Sequence, residues 1–204
     1  MKRITQAVVL TLLGFASTAI AAPVTLTIDK PHSEVGFSIR HFFSKVQGRF
    51  QDFTGTISMD AQDPAASSVD VTIQAASVTT NNDNRDKHLK SNDFFAADSF
   101  PTITFKSTKV EPAGKDKYKV TGNLTMRGTT RPVVLDTEFL GMGEVGIGGR
   151  AMGTKAGFEA ATTINRQDFR VSWNKTLDQG GVMLGDDVDI SLHIEANATP
   201  PPAK

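Results

Sequence analysis

Four histidines, two arginine–aspartate pairs and one serine carry most of this sequence's capacity for chemistry. His32, His41, His88 and His193 form no His-x-x-x-His pair, and the chain has no cysteine, so a metal site is not expected. His88 lies beside Arg85 and Asp86 on a helix-prone turn, where a structural hydrogen-bonding role is expected, and His193 alternates with the polar Ser191 and Glu195. Asp29, His32 and Ser33 lie close together, but no nucleophile-elbow glycines surround that serine, so hydrolysis is not expected. Gly146-x-Gly148-Gly149 lacks the strand-to-helix context of a dinucleotide loop and reads as a hairpin loop. Arg85-Asp86 and Arg166-x-Asp168 admit two readings. Either they pair and cap turns, or a guanidinium meets an anionic or carbonyl head group, for which its planar fork of donors is suited.

The aromatic content is the second signal. Thirteen phenylalanines stand against one tyrosine and one tryptophan, and phenylalanine is the bulky aromatic without a polar handle. Phe37, Phe50, Phe53, Phe94, Phe95, Phe105, Phe139, Phe158 and Phe169 read as core or as the lining of a dry channel. Ile39, Ile103, Met126, Leu135, Ile164 and Trp173 join them as lining candidates. A hydrocarbon chain gains roughly 0.8 kcal/mol per buried CH₂, so about twenty such groups offer about 16 kcal/mol before association costs of roughly 4–15. Apolar contact alone is enough for tight binding, which leaves polar groups free to hold a head group at the mouth. His41, Arg85, His88, Arg166 and Asp168 are the candidates.

These residues need elements to position them. Ser77–Lys109 reads as strand, short helix over 84–90, the pair Phe94-Phe95, and strand again from Ile103, which is what the covered mouth of a barrel requires. Around it, apolar and polar residues alternate with a period of two: Val24/Leu26/Ile28, Val35/Phe37/Ile39, Val69/Val71/Ile73, Tyr118/Val120/Gly122/Leu124/Met126, Val133/Leu135, Phe158/Ala160/Thr162/Ile164 and Val188/Ile190/Leu192/Ile194. The phase slips between Phe50 and Phe53, which predicts a bulge. Gly141–Gly153 is glycine-rich and reads as mobile, and Gly128-Thr129-Thr130 as a turn. Eight to ten short strands and no long amphipathic helix leave the apolar faces to meet one another. The prediction is all-β: a closed antiparallel barrel of about eight strands with a helical cover, with a two-sheet sandwich as the alternative.

Residues 1–22 read as a secretory signal peptide: Lys2 and Arg3, an apolar run over 7–15, and a small-residue cleavage site at Ala19-Ile20-Ala21. The run is too short to span a bilayer. Residues 23–197 then form one domain, and 198–204, with three prolines, a loose tail. Without cysteine there is neither a disulfide nor a thiol for a lipid anchor, which suits a free protein in a bacterial periplasm. Charge is balanced at 22 basic and 22 acidic residues with no basic run, so nucleic acid is excluded as a partner and stable membrane insertion is not expected.

The spaced residues also resemble a known family. His32-Ser33-x-Val35-x-Phe37, His41, Val46-x-Gly48-x-Phe50 and Phe53-x-Gly55 are similar to the opening of YceI-like proteins. So are Thr79-Thr80, Arg85-Asp86-x-His88-Leu89, Asp93-Phe94-Phe95, Phe100-Pro101-x-Ile103-x-Phe105-x-Ser107, Gly122-x-Leu124-x-Met126-Arg127-Gly128, Asn165-Arg166-x-Asp168-Phe169 and Gly185-Asp186-Asp187-Val188. The resemblance covers Thr25 to Ala196. It implies a lipocalin-like barrel holding a long isoprenoid or similar lipophile, in an exported, periplasmic protein of a family that includes dimers. It implies no cofactor. One departure is Arg170, where the family usually has glycine.

Overall fold

A computed structural model describes residues 23–199. The expected signal peptide lies outside them, as does the tail from residue 200. Eleven strands form one antiparallel sheet: β1 (Val24–Ile28), β2 (Glu34–His41), β3 (Ser44–Phe50), β4 (Phe53–Met59), β5 (Ser68–Gln74), β6 (Val78–Thr79), β7 (Thr102–Gly114), β8 (Lys117–Met126), β9 (Thr129–Ile147), β10 (Arg150–Asn165) and β11 (Leu184–Ala198). One α-helix, α1 (Asp83–Lys90), interrupts them.

Three pairs of these strands are halves of longer staves. A 3₁₀ turn at Lys30–His32 breaks β1 from β2, yet both halves pair with β11. β4 then pairs with β1 while β3 pairs with β2, and β5 and β6 pair with β4 and β3 in turn. The sheet is therefore an eight-stave up-and-down meander whose first stave hydrogen-bonds its last, which leaves the outer side of the two-residue β6 as the one unpaired edge among the described strands. This is the predicted fold; the sandwich alternative does not survive the closure.

Four details differ from the sequence reading. The phase slip after Phe50 is a corner, not a bulge. Gln51 and Asp52 leave the strand, and their backbone groups bond Ser77 and Gln74 across the neighbouring stave. The glycine-rich segment is ladder on both sides of its hairpin turn. β9 runs to Ile147 and β10 starts at Arg150, so Gly148-Gly149 make the turn, and Met152 is the extra residue of a bulge in the ladder. Glycine erases side-chain alternation but leaves the backbone donors and acceptors of a ladder intact. The turn after β8 is Arg127-Gly128 rather than 128–130, and both residues have positive φ. Finally, Ala198 pairs with Leu26 and Thr199 N–H bonds Thr25, so the last strand passes the expected boundary at 197.

Antiparallel alternation sorts the connections into two ends. The cover end carries turn 42–43, segment 80–101 with α1, turn 127–128 and segment 166–183. The far end carries loop 60–67 and turns 115–116 and 148–149. α1 starts where its sequence dictates: the Asn82 side chain caps it by accepting the Arg85 N–H at 3.0 Å. Lys87, His88 and Lys90 fill its last turn, where cations suit the helix dipole. Phe94 and the partly buried Leu89 and Phe95 turn inward to join Phe50, Phe53 and Ile73 in the largest core cluster.

Candidate functional site

The inward faces of the staves do not fill the barrel. A cavity of about 570 Å³ runs from α1 to loop 60–67, within the range of roughly 300–1,000 Å³ of small-molecule sites. Leu184 and Ile194 of β11 both line it. At about 3.3 Å per residue and a strand tilt of about 40°, that stretch alone is about 25 Å of axial length.

Two pairings of phenylalanine with glycine shape the wall. A Cβ on Gly48 would overlap the Phe37 ring from the paired strand, and one on Gly122 would overlap the Phe105 ring. Each ring therefore lies flat over bare backbone instead of standing out into the lumen.

Of the expected lining residues, Phe37, Ile39, Phe50, Phe53, Phe94, Phe95, Ile103, Phe105, Met126, Leu135, Phe139, Phe158, Ile164 and Trp173 line the cavity. Phe169 does not. It is 1 % exposed and packs in the wall cluster, beneath the 3₁₀ turn Arg166–Phe169. Sequence reasoning passed over the aliphatic half of the lining, including Val35, Val71, Val120, Val188, Ile190 and Leu192. The signal was present, since all six occupy the inward phase of their strands.

Polar lining groups gather at the ends, apart from Tyr118, Thr137 and Thr162 in the wall. Asp60 and Ser67 lie at the far end, and His41, Thr80, Asn84, Arg85, His88 and Arg166 at the cover end. Exposed residues reach the lining at both ends: Asn84 and Arg85 at one, Ala61 at the other.

The cover-end groups differ in what they have left to offer. Arg166 is buried, and its guanidinium donates to the carbonyls of Gly185 (2.9 Å), Val171 (2.6 Å) and Trp173 (2.8 Å) and to Asp186 (3.0 Å). Burial pulls its pKa down, and Asp186 opposes the pull. It rivets segment 166–183 to β11. Its partner is Asp186, not the expected Asp168, which is exposed and outside the lining.

His88 Nε2 lies 2.7 Å from Asp93, and its ring meets Phe94 and Trp173 edge-on at 5.0 and 4.9 Å. His41 packs edge-on against Phe42 at 4.3 Å. Asp86 is buried and accepts from Thr79 Oγ1 (2.9 Å), Thr80 N–H (2.8 Å) and Thr80 Oγ1 (2.5 Å). Burial works to raise its pKa, but these threonine bonds outweigh it and hold the carboxyl below its ordinary value. Arg85 does not pair with Asp86. Its Nε donates to Thr80 Oγ1 at 2.7 Å and its Nη2 to Thr80 O at 2.9 Å.

The tempting triad is structural. Ser33 Oγ donates towards the carbonyls of Asp29 (2.8 Å) and Glu195 (3.1 Å) and accepts the Glu195 N–H (3.0 Å). Asp29, His32 and Glu195 stand close enough to suggest a cation site. Lys155 already supplies the cation, with its Nζ 2.6 Å from Glu195, 2.8 Å from Asn197 and 3.2 Å from Asp29. The hydrogen bond to Glu195 leads the effects that hold Lys155 above its ordinary pKa.

A closed eight-stave meander around an apolar, through-running cavity defines a lipocalin-like barrel. Comparison with known proteins makes the assignment specific. The YceI-like domain matches residues 26–196, and the chain belongs to that family. It is 44% identical over 159 residues to a UPF0312 protein of Photorhabdus laumondii, covering 78% of this chain and 80% of the relative. A crystal structure of the Campylobacter jejuni YceI protein is 36% identical with a TM-score of 0.67, covering 84% of this chain and 96% of the other. The same fold recurs at 14% identity, with a TM-score of 0.63, in a polyisoprenoid binding domain from Saccharophagus degradans implicated in plant cell wall breakdown, over 85% of this chain and 98% of that one. Among the described residues no helix is long and apolar enough to cross a membrane.

Proposed function

We propose that this protein is a non-catalytic carrier that holds the tail of a long-chain isoprenoid, or a comparable lipophile, inside its barrel in the periplasm. The observation that carries this reading is the continuous apolar tunnel, whose polar groups are almost all at its ends. An apolar cavity of this kind offers water few hydrogen-bond partners, so an alkyl chain that enters displaces only poorly held solvent. The signal-like N-terminus supports export, and the fold shared with a polyisoprenoid binding domain supports the ligand class.

The test is extraction of natively purified protein with organic solvent, followed by mass spectrometry, alongside uptake of added isoprenoids. A stoichiometric apolar compound is expected in the extract, and uptake should compete with it. An empty extract together with no uptake would end the carrier reading.

A further inference from the structure

The turn between β2 and β3 departs from ordinary hairpin chemistry in three ways. His41 pairs with Ser44, so Phe42 and Phe43 form a two-residue loop. Such loops need positive φ at their first residue and favour asparagine, aspartate or glycine there. Phe42 holds that place with φ 50°, a conformation that bulky side chains resist. Phe43 is completely exposed, with Phe42 exposed beside it. The next pair down the ladder sets Arg40 opposite Lys45, and like charges across a ladder repel. Lys45 is met by Asp189 at 2.7 Å. Arg40 donates to the Phe42 carbonyl at 3.3 Å and makes no ion pair among the described residues.

The patch continues into segment 166–183. Phe42 N–H bonds the Met183 carbonyl, and Met183 N–H bonds the Lys175 carbonyl. Exposed Val182 and exposed Lys175 therefore stand at the foot of the turn, and Asp178 is the single acid of residues 174–183. His41 and Met183, next to the tip, both line the cavity. The far-end hairpin is a contrast. Ile147 and Met152 are exposed there too, but the positive φ angles of its turn fall on Gly148 and Gly149, which adopt them freely.

We infer that Phe42-Phe43 is a docking finger that seats the cover end, reversibly, on the surface of an anionic lipid bilayer. Two adjacent phenylalanines present apolar area with no polar group for a protein partner to satisfy. Interfacial sites join such groups to flanking cations, here Arg40, Lys45 and Lys175. Long basic side chains beside an apolar tip reach the head groups while the tip enters the acyl boundary. A two-fold contact with a second copy would instead set this patch, with its cations, against itself. Docking stands without the carrier reading. Its use, bringing the tunnel mouth to the lipid that supplies cargo, rests on that reading.

The test is co-flotation of the protein with vesicles of phosphatidylglycerol and phosphatidylcholine in equal parts, against vesicles of phosphatidylcholine alone. Wild-type protein should float with the anionic vesicles, less so as salt rises. Phe43→Ser should weaken binding by at least about tenfold, the share of one large apolar side chain, with an unchanged melting temperature because the ring is fully exposed. Phe42→Asn, better suited to the left-handed position, should also weaken binding in a protein that folds. Arg40→Gln should cost about fivefold on the anionic vesicles and little on the neutral ones. Ile147→Ser, at the other end, should change nothing. No flotation of the wild type, or binding that survives Phe43→Ser, overturns the finger. So does an equal loss from Ile147→Ser, or a wild-type dimer that Phe43→Ser splits in sedimentation without any vesicle binding. Flotation lost on Phe43→Ser, with no uptake of a prenyl alcohol carried by the vesicles, upholds the finger and counts against the carrier.

Discussion

Arg170 sits in the left-handed region, with φ 62° and ψ 21°, where it terminates the 3₁₀ turn behind Arg166. Its carbonyl is held by Arg127, which also donates to Asn92 and so ties three connections of the cover end together. A side chain in that conformation costs roughly 1–2 kcal/mol that glycine avoids. Arg170→Gly is therefore expected to raise the unfolding free energy by about 1 kcal/mol in urea titration, part of the gain being offset by the more flexible unfolded chain. This accounts for the glycine that the family resemblance implies at this position.

Asp86 is the opposite case, a buried charge that is fully used. Replacing it with alanine strands the Thr80 N–H and frees Arg85, and should cost about 2–3 kcal/mol. Its pKa is lowered in the folded state, so the unfolded chain binds its proton more readily than the folded one does. Its stabilisation is accordingly complete above the ordinary carboxylate value of about 4 and disappears as pH falls through the lower folded value. The stability gap between wild type and Asp86→Asn should be constant near neutrality and close below about pH 4.

Among elements, the wall depends on glycine facing phenylalanine. Gly122→Ala places a methyl group where the Phe105 ring lies, and both Phe105 and the paired Leu124 line the lumen. The ring must tilt inward. We expect a cost of about 1–3 kcal/mol, as for overpacking elsewhere, and weaker loading of bulky tails; unchanged loading with unchanged stability would show that the ring has somewhere else to go. Alternation in the sequence placed Phe37, Phe105 and Phe158 on inward faces without help. It did not show that Phe169 lies behind the wall, because Arg166–Phe169 is a turn and period-two reasoning stops at strand ends. The same limit explains the glycine-rich segment, where β9 and β10 continue with few side chains to reveal their phase.

For the molecule as a whole, an unfilled interior means that stability and cargo are linked. A ligand at about 100 times its dissociation constant adds about 2.7 kcal/mol. At about 2–4 °C per kcal/mol for a domain of this size, delipidated protein should melt about 5–10 °C lower than loaded protein by calorimetry. The cavity reaches exposed Ala61 at the far end, and a tail longer than the barrel is expected to pass out beside it. Affinity should rise with chain length and then level off. A decline beyond an optimum length would show that the far end is shut.

The sequence alone determined the class of fold: period-two alternation in strand after strand, without a helical layer to cover it, forces apolar faces inward, and the spaced motifs placed the chain in its family. It also placed the helical cover, because the polar, helix-prone run over 84–90 forms a short helix from local preference. Whether the barrel is plugged or hollow was beyond it, since that depends on how rings from paired strands settle over glycines far away in the chain. Nor did the sequence say which arginine is spent and which is spare. Arg85-Asp86 and Arg166-x-Asp168 look alike as text. Only the folded chain supplies Thr80 to one arginine and three carbonyls with Asp186 to the other, and it is those partners that decide what each guanidinium has left to bind.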